Sequence, residues 1–303
     1  MPGFLFSIIP MNKDLKNIII HLRFPFSLFL LPVFLFALSQ TESINAMNSL
    51  VIFVVLHLLA YPSSNGYNSY MDNDKESIGG LKTPPEVPGG MFWVSFCMDF
   101  LALVITLFFL NLVIALLVLF YILASRAYSY RGIRLKKHPV IGFLTVAVFQ
   151  GPVVYMIAYL SINNALVWDK EFIMGLLISF LLIGAGYPLT QIYQHRQDKE
   201  DGVKTLSLLL GIKGTFVFSA ILFALLGILM SIYLFIFQGS IADTILFIVL
   251  LFPVVVYFTK WMNKTFLNEK FADYEHTMGM NKTGAIAVNV FFLLLIIKSI
   301  FLP

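Results

Sequence analysis

Carboxylate and amide side chains are concentrated in one short segment of the sequence, from Asn65 to Glu76. Within it Asn68, Asp72 and Glu76 recur at intervals of four residues, so a helix would carry them on nearly one face. A face that offers only oxygen acceptors suits a hard cation such as Mg²⁺, which binds carboxylates and keeps positions free for substrate phosphates. A solvated acidic loop end is the alternative interpretation, and this segment alone does not decide between the two.

A second oxygen-rich segment occupies residues 190–206. Its Gln194 and Asp198 repeat the interval of four residues. Two such segments, far apart in the chain, suggest that two halves of a helical bundle close on one polar site. The other candidate site residues of this segment are His195, which could assist proton removal, Asp201 and Lys204.

A basic segment lies between the two oxygen-rich ones and contains Tyr128, Arg131, Arg134, Lys136 and Lys137. Its cations could simply mark a cytoplasmic loop of a membrane protein. Together with the two oxygen-rich segments, they also suit a magnesium-bound polyphosphate, because carboxylates bind the metal while Arg and Lys bind the anion.

The composition defines the setting of these segments. Of the 303 residues, 59% are hydrophobic and 12% are charged, whereas roughly a quarter of the residues of a soluble domain are charged. Disorder is excluded because 16% of the residues are aromatic and the net charge is only +4. The small excess of 20 basic over 16 acidic residues gives no reason to expect a nucleic-acid partner. The sequence therefore predicts an all-α integral membrane protein surrounded by lipid.

A helix needs about 20 mostly apolar residues to cross a bilayer. The run from Phe92 to Ala124 is too long for one crossing, so we expect two helices with a tight turn at Asn111. The whole chain, 1–303, is then one polytopic domain with nine transmembrane helices. The predicted helices are about 24–39, 47–61, 92–110, 112–124, 140–161, 172–188, 216–237, 244–259 and 284–302.

The distribution of Lys and Arg tests this count, because cytoplasmic loops are enriched in both. Of the 20 basic residues, all but Lys170 and Lys298 fall in the N-terminal segment and in alternate loops. This alternation predicts a cytoplasmic N-terminus, a non-cytoplasmic C-terminus and a polar site that faces the cytoplasm. In the last cytoplasmic loop, apolar residues at helical spacing from Leu267 to Met278 predict an amphipathic helix that lies either at the membrane interface or over a cavity.

At these three segments the chain resembles the UbiA superfamily of intramembrane prenyltransferases. The first family motif, NxxxDxxxD, corresponds to Asn68, Asp72 and Glu76, with Glu in place of the usual Asp. The Tyr…Arg-x-Lys segment corresponds to Tyr128, Arg134 and Lys136. In the second motif Asp198-xxx-Gly202-xx-Thr205-Leu206 matches, but Gln194 replaces the first Asp and Thr190 replaces a frequent Asn.

The resemblance implies a nine-helix bundle around a central apolar cavity with a polar site on the cytoplasmic side. It implies transfer of an isoprenoid chain from a prenyl diphosphate to a lipophilic, aromatic acceptor, as in lipid or quinone biosynthesis, with Mg²⁺ as cofactor. Asp72, Asp198 and Lys136 would then be catalytic. The implied metal ligands are Asn68, Asp72, Glu76, Gln194 and Asp198; the implied diphosphate contacts are Arg134, Lys136, Lys204 and Tyr128; Asn65, Asp201 and His195 are further candidates.

A polytopic transporter or lipid-binding membrane protein without catalytic activity is the alternative. Such a protein would carry ionisable residues along a path through the bilayer. Here Asp99 is the main charged residue inside a predicted helix, and the polar segments lie at helix ends. This distribution favours an enzyme whose site opens at the membrane surface.

Overall fold

The computed structural model describes residues 12–41, 44–163 and 168–301. Apart from one isolated antiparallel bridge between Ile78 and Leu81, the regular structure of these ranges is helical. Within these ranges nine helical units, α1–α9, follow one another. They are α1 (Lys13–Phe29 with Leu31–Ser39), α2 (Ala46–Asp72), α3 (Met91–Phe109), α4 (Leu112–Ser129), α5 (Pro139–Asn163), α6 (Lys170–Glu200), α7 (Leu206–Phe237), α8 (Ile241–Leu267) and α9 (Tyr274–Phe301).

Units α2 to α9 are each long and apolar enough to cross a membrane, and α1 is a ninth span if its bent pair counts as one. The two parts of α1 meet at an angle of 42°. Arg23 has a left-handed backbone (φ 49°), and Pro25 and Pro32 each lie in the first turn of a new helical stretch. Proline fits the first turn of a helix but donates no hydrogen bond to the preceding one, which explains the break.

The predicted turn at Asn111 is confirmed. Helix α3 ends at Phe109 and α4 begins at Leu112. The Asn111 side chain caps α4, because its Oδ1 accepts a hydrogen bond of 3.0 Å from the backbone N–H of Ile114. A single polar residue therefore divides the long apolar run into two antiparallel helices.

Several helices extend beyond their predicted ends. Helix α2 continues to Asp72 and α6 to Glu200, so both oxygen-rich segments begin on helices rather than in loops. The amphipathic helix predicted between α8 and α9 is wrong as a separate element, because α8 continues to Leu267 and α9 already begins at Tyr274. Residue 302, the end of the ninth predicted span, lies outside the described residues.

Aromatic side chains pack the bundle from inside. Phe36 of α1 contacts Tyr155 of α5, Tyr233 of α7 and Phe292 of α9, with ring centroids 5.1–5.8 Å apart. On the outside, large apolar side chains such as Phe108 (80% exposed) are uncovered along the helices. An apolar outer surface of this extent is stable only in lipid.

Among the helices in the described part of the chain, three contain a π-helical stretch, in which one extra residue is inserted into a turn. These stretches are Val54–Ala60 in α2, Phe149–Val153 in α5 and Tyr233–Phe237 in α7. Such bulges are uncommon and change the direction in which the following side chains point.

Candidate active site

A cavity of about 330 Å³ lies inside the bundle and is lined by residues of every helical unit except α3. Its lining is most polar where the ends of α2 and α6 meet the segments that follow α2 and α4, and largely apolar elsewhere. The apolar part includes Phe149, Leu182, Leu226 and Val254. A hydrocarbon chain and a charged group could therefore occupy one continuous space.

Asp72 is the last residue of α2 and is 6% exposed. The left-handed backbone of Asn73 (φ 53°) ends the helix immediately after it. Asn68, one turn earlier, donates hydrogen bonds to Asp72 Oδ2 at 2.9 Å and to Ser129 Oγ at 3.0 Å. Asn68 and Asp72 thus share the helical face that their spacing predicts, and both line the cavity.

The basic segment after α4 folds over this carboxylate. Lys136 Nζ forms an ion pair with Asp72 Oδ2, and Arg134 Nη2 lies 3.6 Å from Asp72 Oδ1. Arg134 also binds Asp201 Oδ2 at 2.6 Å, which connects the ends of α2 and α6. A left-handed backbone at Arg134 (φ 49°) and a single 3₁₀ turn at Leu135–Lys137 give the segment this path.

Glu76 does not share the predicted face, because α2 ends four residues before it. Its carboxylate pairs with Arg196 and contributes to a shallow surface depression instead of the cavity. The placement of Glu76 beside Asn68 and Asp72 is therefore wrong.

Asp74 lines the cavity in place of Glu76. Its Oδ1 accepts a hydrogen bond from the amide of Gln197. Burial raises the pKa of the Asp74 carboxyl to about 6, and the negative charge of Asp72 adds to the shift. Asp74 escapes the four-residue spacing because the helix ends at Asp72 and the chain turns at Asn73.

In the second segment, a 3₁₀ stretch at Tyr187–Gln194 leads into the last turns of α6. Thr190, Gln194, Asp198 and Asp201 all line the cavity. Gln194 donates to the carbonyl of Ser77 at 3.3 Å, so its amide nitrogen is directed at the loop that follows α2.

Two other predicted residues lie outside the cavity. His195 Nε2 is 2.7 Å from Ser207 Oγ, on the side that packs against α7. Lys204 is exposed between α6 and α7. The structure therefore does not bring His195 and Lys204 to the other candidates.

Tyrosine and arginine side chains complete the polar wall. The Tyr128 hydroxyl is hydrogen-bonded to that of Tyr187, which also accepts from Gln191 Nε2 at 2.9 Å. Arg23, from the break in α1, donates at 2.9 Å to the carbonyls of Asn65 and Gly79. Tyr187, Gln191 and Arg23 were missed because long-range packing, not local spacing, brings them here.

The donor atoms of this wall fit a magnesium ion that also takes ligands from a substrate. Within the described ranges, no three His, Cys, Asp or Glu side chains are close enough together to bind a metal by themselves. However, Asp72 Oδ1 and Asp198 Oδ2 are buried, lack a hydrogen bond and belong to residues that line the cavity. Hard oxygen atoms of this kind are the ligands that Mg²⁺ prefers, and Mg²⁺ commonly combines one or two carboxylates with phosphate oxygens.

A model of the UbiA prenyltransferase family matches residues 29–272, which is most of the chain. The chain belongs to this family. The assignment made from the sequence is confirmed, and this UbiA protein is a multi-pass integral membrane protein and a prenyltransferase of the UbiA type. Among curated protein sequences, none matches it significantly.

Solved structures of UbiA proteins share its fold. A UbiA homolog from Archaeoglobus fulgidus bound to GPP and Mg²⁺ is 18% identical, with a TM-score of 0.65 over 92% of this chain and 99% of that one. A structure described as digeranylgeranylglyceryl phosphate synthase is 20% identical, with a TM-score of 0.62 over 96% of this chain and 100% of that one. The predicted all-α bundle is thereby confirmed.

Proposed function

We propose that this UbiA protein transfers an isoprenoid chain from a prenyl diphosphate to a lipophilic, aromatic acceptor inside the membrane. The observation that carries the proposal is the buried cluster of Asp72, Lys136 and Arg134 at the polar end of an otherwise apolar cavity. Structures of the Archaeoglobus fulgidus homolog are described as bound to GPP and Mg²⁺ and to DMAPP and Mg²⁺, which supports the same class of donor here.

Lys136 and Arg134 would bind the diphosphate. Both side chains are only 12% exposed, and their charges point at the carboxylate wall that the donor must approach. A cation in such a partly buried position stabilises the charge that develops on a leaving group more strongly than it would in water. Tyr128 and Asn65, which also line the cavity, complete the set of diphosphate contacts that we propose.

Asp72 and Asp198 would hold Mg²⁺ together with oxygens of the diphosphate, and Asp74 and the amide oxygens of Asn68 and Gln194 would approach the ion as the donor binds. Asp74 takes the place that the sequence suggested for Glu76. When bound, Mg²⁺ would neutralise the diphosphate and so favour its departure.

In the proposed reaction the bond between the allylic carbon and the diphosphate oxygen breaks, and its electron pair leaves with the oxygen. Lys136 and Arg134 then face the released negative charge. The apolar lining around Phe149, Leu182 and Leu226 keeps water away from the allylic cation. An electron pair of the acceptor ring forms the new carbon–carbon bond, and a ring proton is lost to restore aromaticity.

The alternation of basic loops supports a site on the cytoplasmic side, with the N-terminus in the cytoplasm and the C-terminus outside. A charged path through the bilayer, as in a transporter, has little support. The charge inside the helices at Asp99 is paired with Arg126, whose Nε donates at 2.9 Å, and Ser63 also donates to this carboxylate.

The test is release of diphosphate by the purified protein from geranyl, farnesyl or geranylgeranyl diphosphate, with and without Mg²⁺ and with a pooled lipid extract as acceptor. We expect Asp72→Asn to lower magnesium-dependent release at least a hundredfold, because it removes charge but almost no volume. The matched control is Asp243→Asn, which breaks an ion pair with Lys298 outside the cavity and should retain activity. Full activity of Asp72→Asn, or failure of the native protein to bind any of these donors, would contradict the proposal.

A further inference from the structure

A further polar cluster lines the cavity and has no part in the proposed metal or diphosphate contacts. It consists of Gln150 on α5, Tyr121 and Ser125 on α4, and Ser64 on α2, all of which line the cavity. Gln150 lies near the middle of the 25-residue helix α5, so it is placed close to the centre of the bilayer. At this depth the surrounding lipid offers no hydrogen bonds, so the amide depends on groups inside the cavity.

The backbone of α5 directs Gln150 towards the cavity. Gln150 belongs to the π-helical stretch Phe149–Val153, which also contains Pro152. A Cβ atom on Gly151 would lie 2.5 Å from the backbone oxygen of Ser179 on α6, so only glycine allows the two helices to approach this closely. The bulge is thus fixed against α6, and π-helical bulges of this kind frequently occur at functional sites.

The cluster has hydrogen-bonding capacity left for a molecule in the cavity. Ser64 and Ser125 are hydrogen-bonded to each other through their hydroxyl groups. The Tyr121 hydroxyl interacts with Ser64 and with the Gln150 amide, which is half-buried. An amide side chain can make about four hydrogen bonds, and within the described part of the chain Tyr121 is the side-chain partner of Gln150.

The cluster is electrically neutral. The nearby cation, Arg126, is bound by Asp99, and the cavity-lining cations Arg23 and Lys136 are bound by backbone carbonyls and by Asp72. Among the described residues, an anionic group would therefore find no cation at this depth without an ion-pair or hydrogen-bond partner, whereas a hydroxyl or carbonyl group would find both donors and acceptors. A hydrocarbon chain alone would leave part of the hydrogen-bonding capacity of the Gln150 amide unused, which is unfavourable away from water.

We propose that Gln150, supported by Tyr121, Ser64 and Ser125, binds a neutral hydroxyl or carbonyl group of the acceptor within the membrane. The acceptor of this UbiA protein is then an uncharged, oxygen-bearing lipid such as a phenol or a quinol, and not a carboxylate. This inference rests on the proposed function, since it names the substrate class of the same cavity.

The test compares three probes of similar shape: 1-naphthol, 1-methylnaphthalene and 1-naphthoate. Their equilibrium binding is measured on the native protein and on variants in detergent, in the absence of any donor. We expect the native protein to bind 1-naphthol about tenfold more tightly than 1-methylnaphthalene, which corresponds to one or two net hydrogen bonds. It should bind 1-naphthoate most weakly of the three.

Gln150→Met keeps the length of the side chain and removes its hydrogen bonds, so it should abolish most of the preference for 1-naphthol. Tyr121→Phe removes one supporting hydroxyl and should reduce the preference partly, which keeps the test informative if the first variant folds poorly. Phe149→Leu is the matched control from the same bulge: it changes the volume of the cavity and should leave the ratio of the two affinities unchanged.

Persistence of the 1-naphthol preference in Gln150→Met would overturn the inference, as would tightest binding of 1-naphthoate by the native protein. Magnesium-dependent binding of geranyl diphosphate is measured on the same preparations. It distinguishes failure of this inference from failure of the proposed function. Donor binding that survives in Gln150→Met but is lost in Asp72→Asn assigns the two residues to different parts of the cavity. Loss of the preference together with intact donor binding is the expected result.

Discussion

At the scale of single residues, Asp74 shows what local spacing cannot predict. Asp74 and Glu76 are both acidic and only two positions apart, yet Asp74 lines the cavity and Glu76 pairs with Arg196 at the surface. The difference arises from the left-handed backbone of Asn73, which ends α2 and redirects the chain. Asparagine tolerates this conformation well but does not require it, so the sequence alone could not fix the end of the helix.

Asp74 should make the metal-free protein less stable at neutral pH. Its pKa is raised from 3.8 to about 6, so the folded protein binds the proton more tightly than the unfolded chain does. The resulting destabilisation is complete above pH 6 and disappears as the pH falls from 6 towards 3.8. Asp74→Asn should therefore stabilise the protein by about 3 kcal/mol above pH 6, with a smaller gain at lower pH.

Melting temperatures in detergent and EDTA, measured between pH 4 and pH 8 for both proteins, check this prediction. Glu200→Gln, which removes an exposed carboxylate from the end of α6, is the control and should leave the melting temperature unchanged. A constant difference between Asp74→Asn and the native protein across the whole range would show that Asp74 does not titrate as described.

At the scale of helices, the sequence predicts the position of apolar spans well and their ends poorly. Asn111 divides two helices because an amide side chain caps α4, a local effect that can be read from the sequence. The extension of α2 and α6 into their polar segments depends on packing around the cavity, so hydropathy places their ends too early. Arg23 reaches the site only because α1 breaks and packs against the loop that follows α2.

The contact between α5 and α6 is sensitive to a single methyl group. Gly151→Ala should lower the stability by about 1–3 kcal/mol, because the added Cβ meets the Ser179 backbone at 2.5 Å and pushes the helices apart. Gly227→Ala, in α7, is the matched control: no atom lies within 4 Å of its added Cβ, and alanine should stabilise this helix by about 0.5–1 kcal/mol. Thermal unfolding in detergent measures both, and equal effects of the two substitutions would contradict the packing argument.

At the scale of the whole molecule, the charge distribution orients the bundle. The α7–α8 connection carries no Lys or Arg, whereas the α8–α9 connection contains Lys270 and follows Lys260 and Lys264. In a Cys97→Ser background, we expect Ala242→Cys to react with a membrane-impermeant maleimide in intact cells and Glu269→Cys to react only after lysis. Both positions are exposed, so accessibility within the protein does not bias the comparison. The reverse labelling pattern would invert the orientation and place the candidate site outside.

The ion pairs of the cavity wall would couple the binding of a metal ion to the binding of a diphosphate. Lys136 and Arg134 already neutralise Asp72, and Arg134 also holds Asp201. A divalent ion arriving alone would meet an ammonium group, and a diphosphate arriving alone would leave a buried carboxylate without its counter-ion. If the metal ion and the diphosphate bind together, Asp72 would exchange its Lys and Arg partners for the metal ion. Lys136 and Arg134 would exchange Asp72 for the diphosphate. In the proposed function, Mg²⁺ and the prenyl diphosphate would therefore be mutual effectors, each raising the affinity of the protein for the other by the same factor.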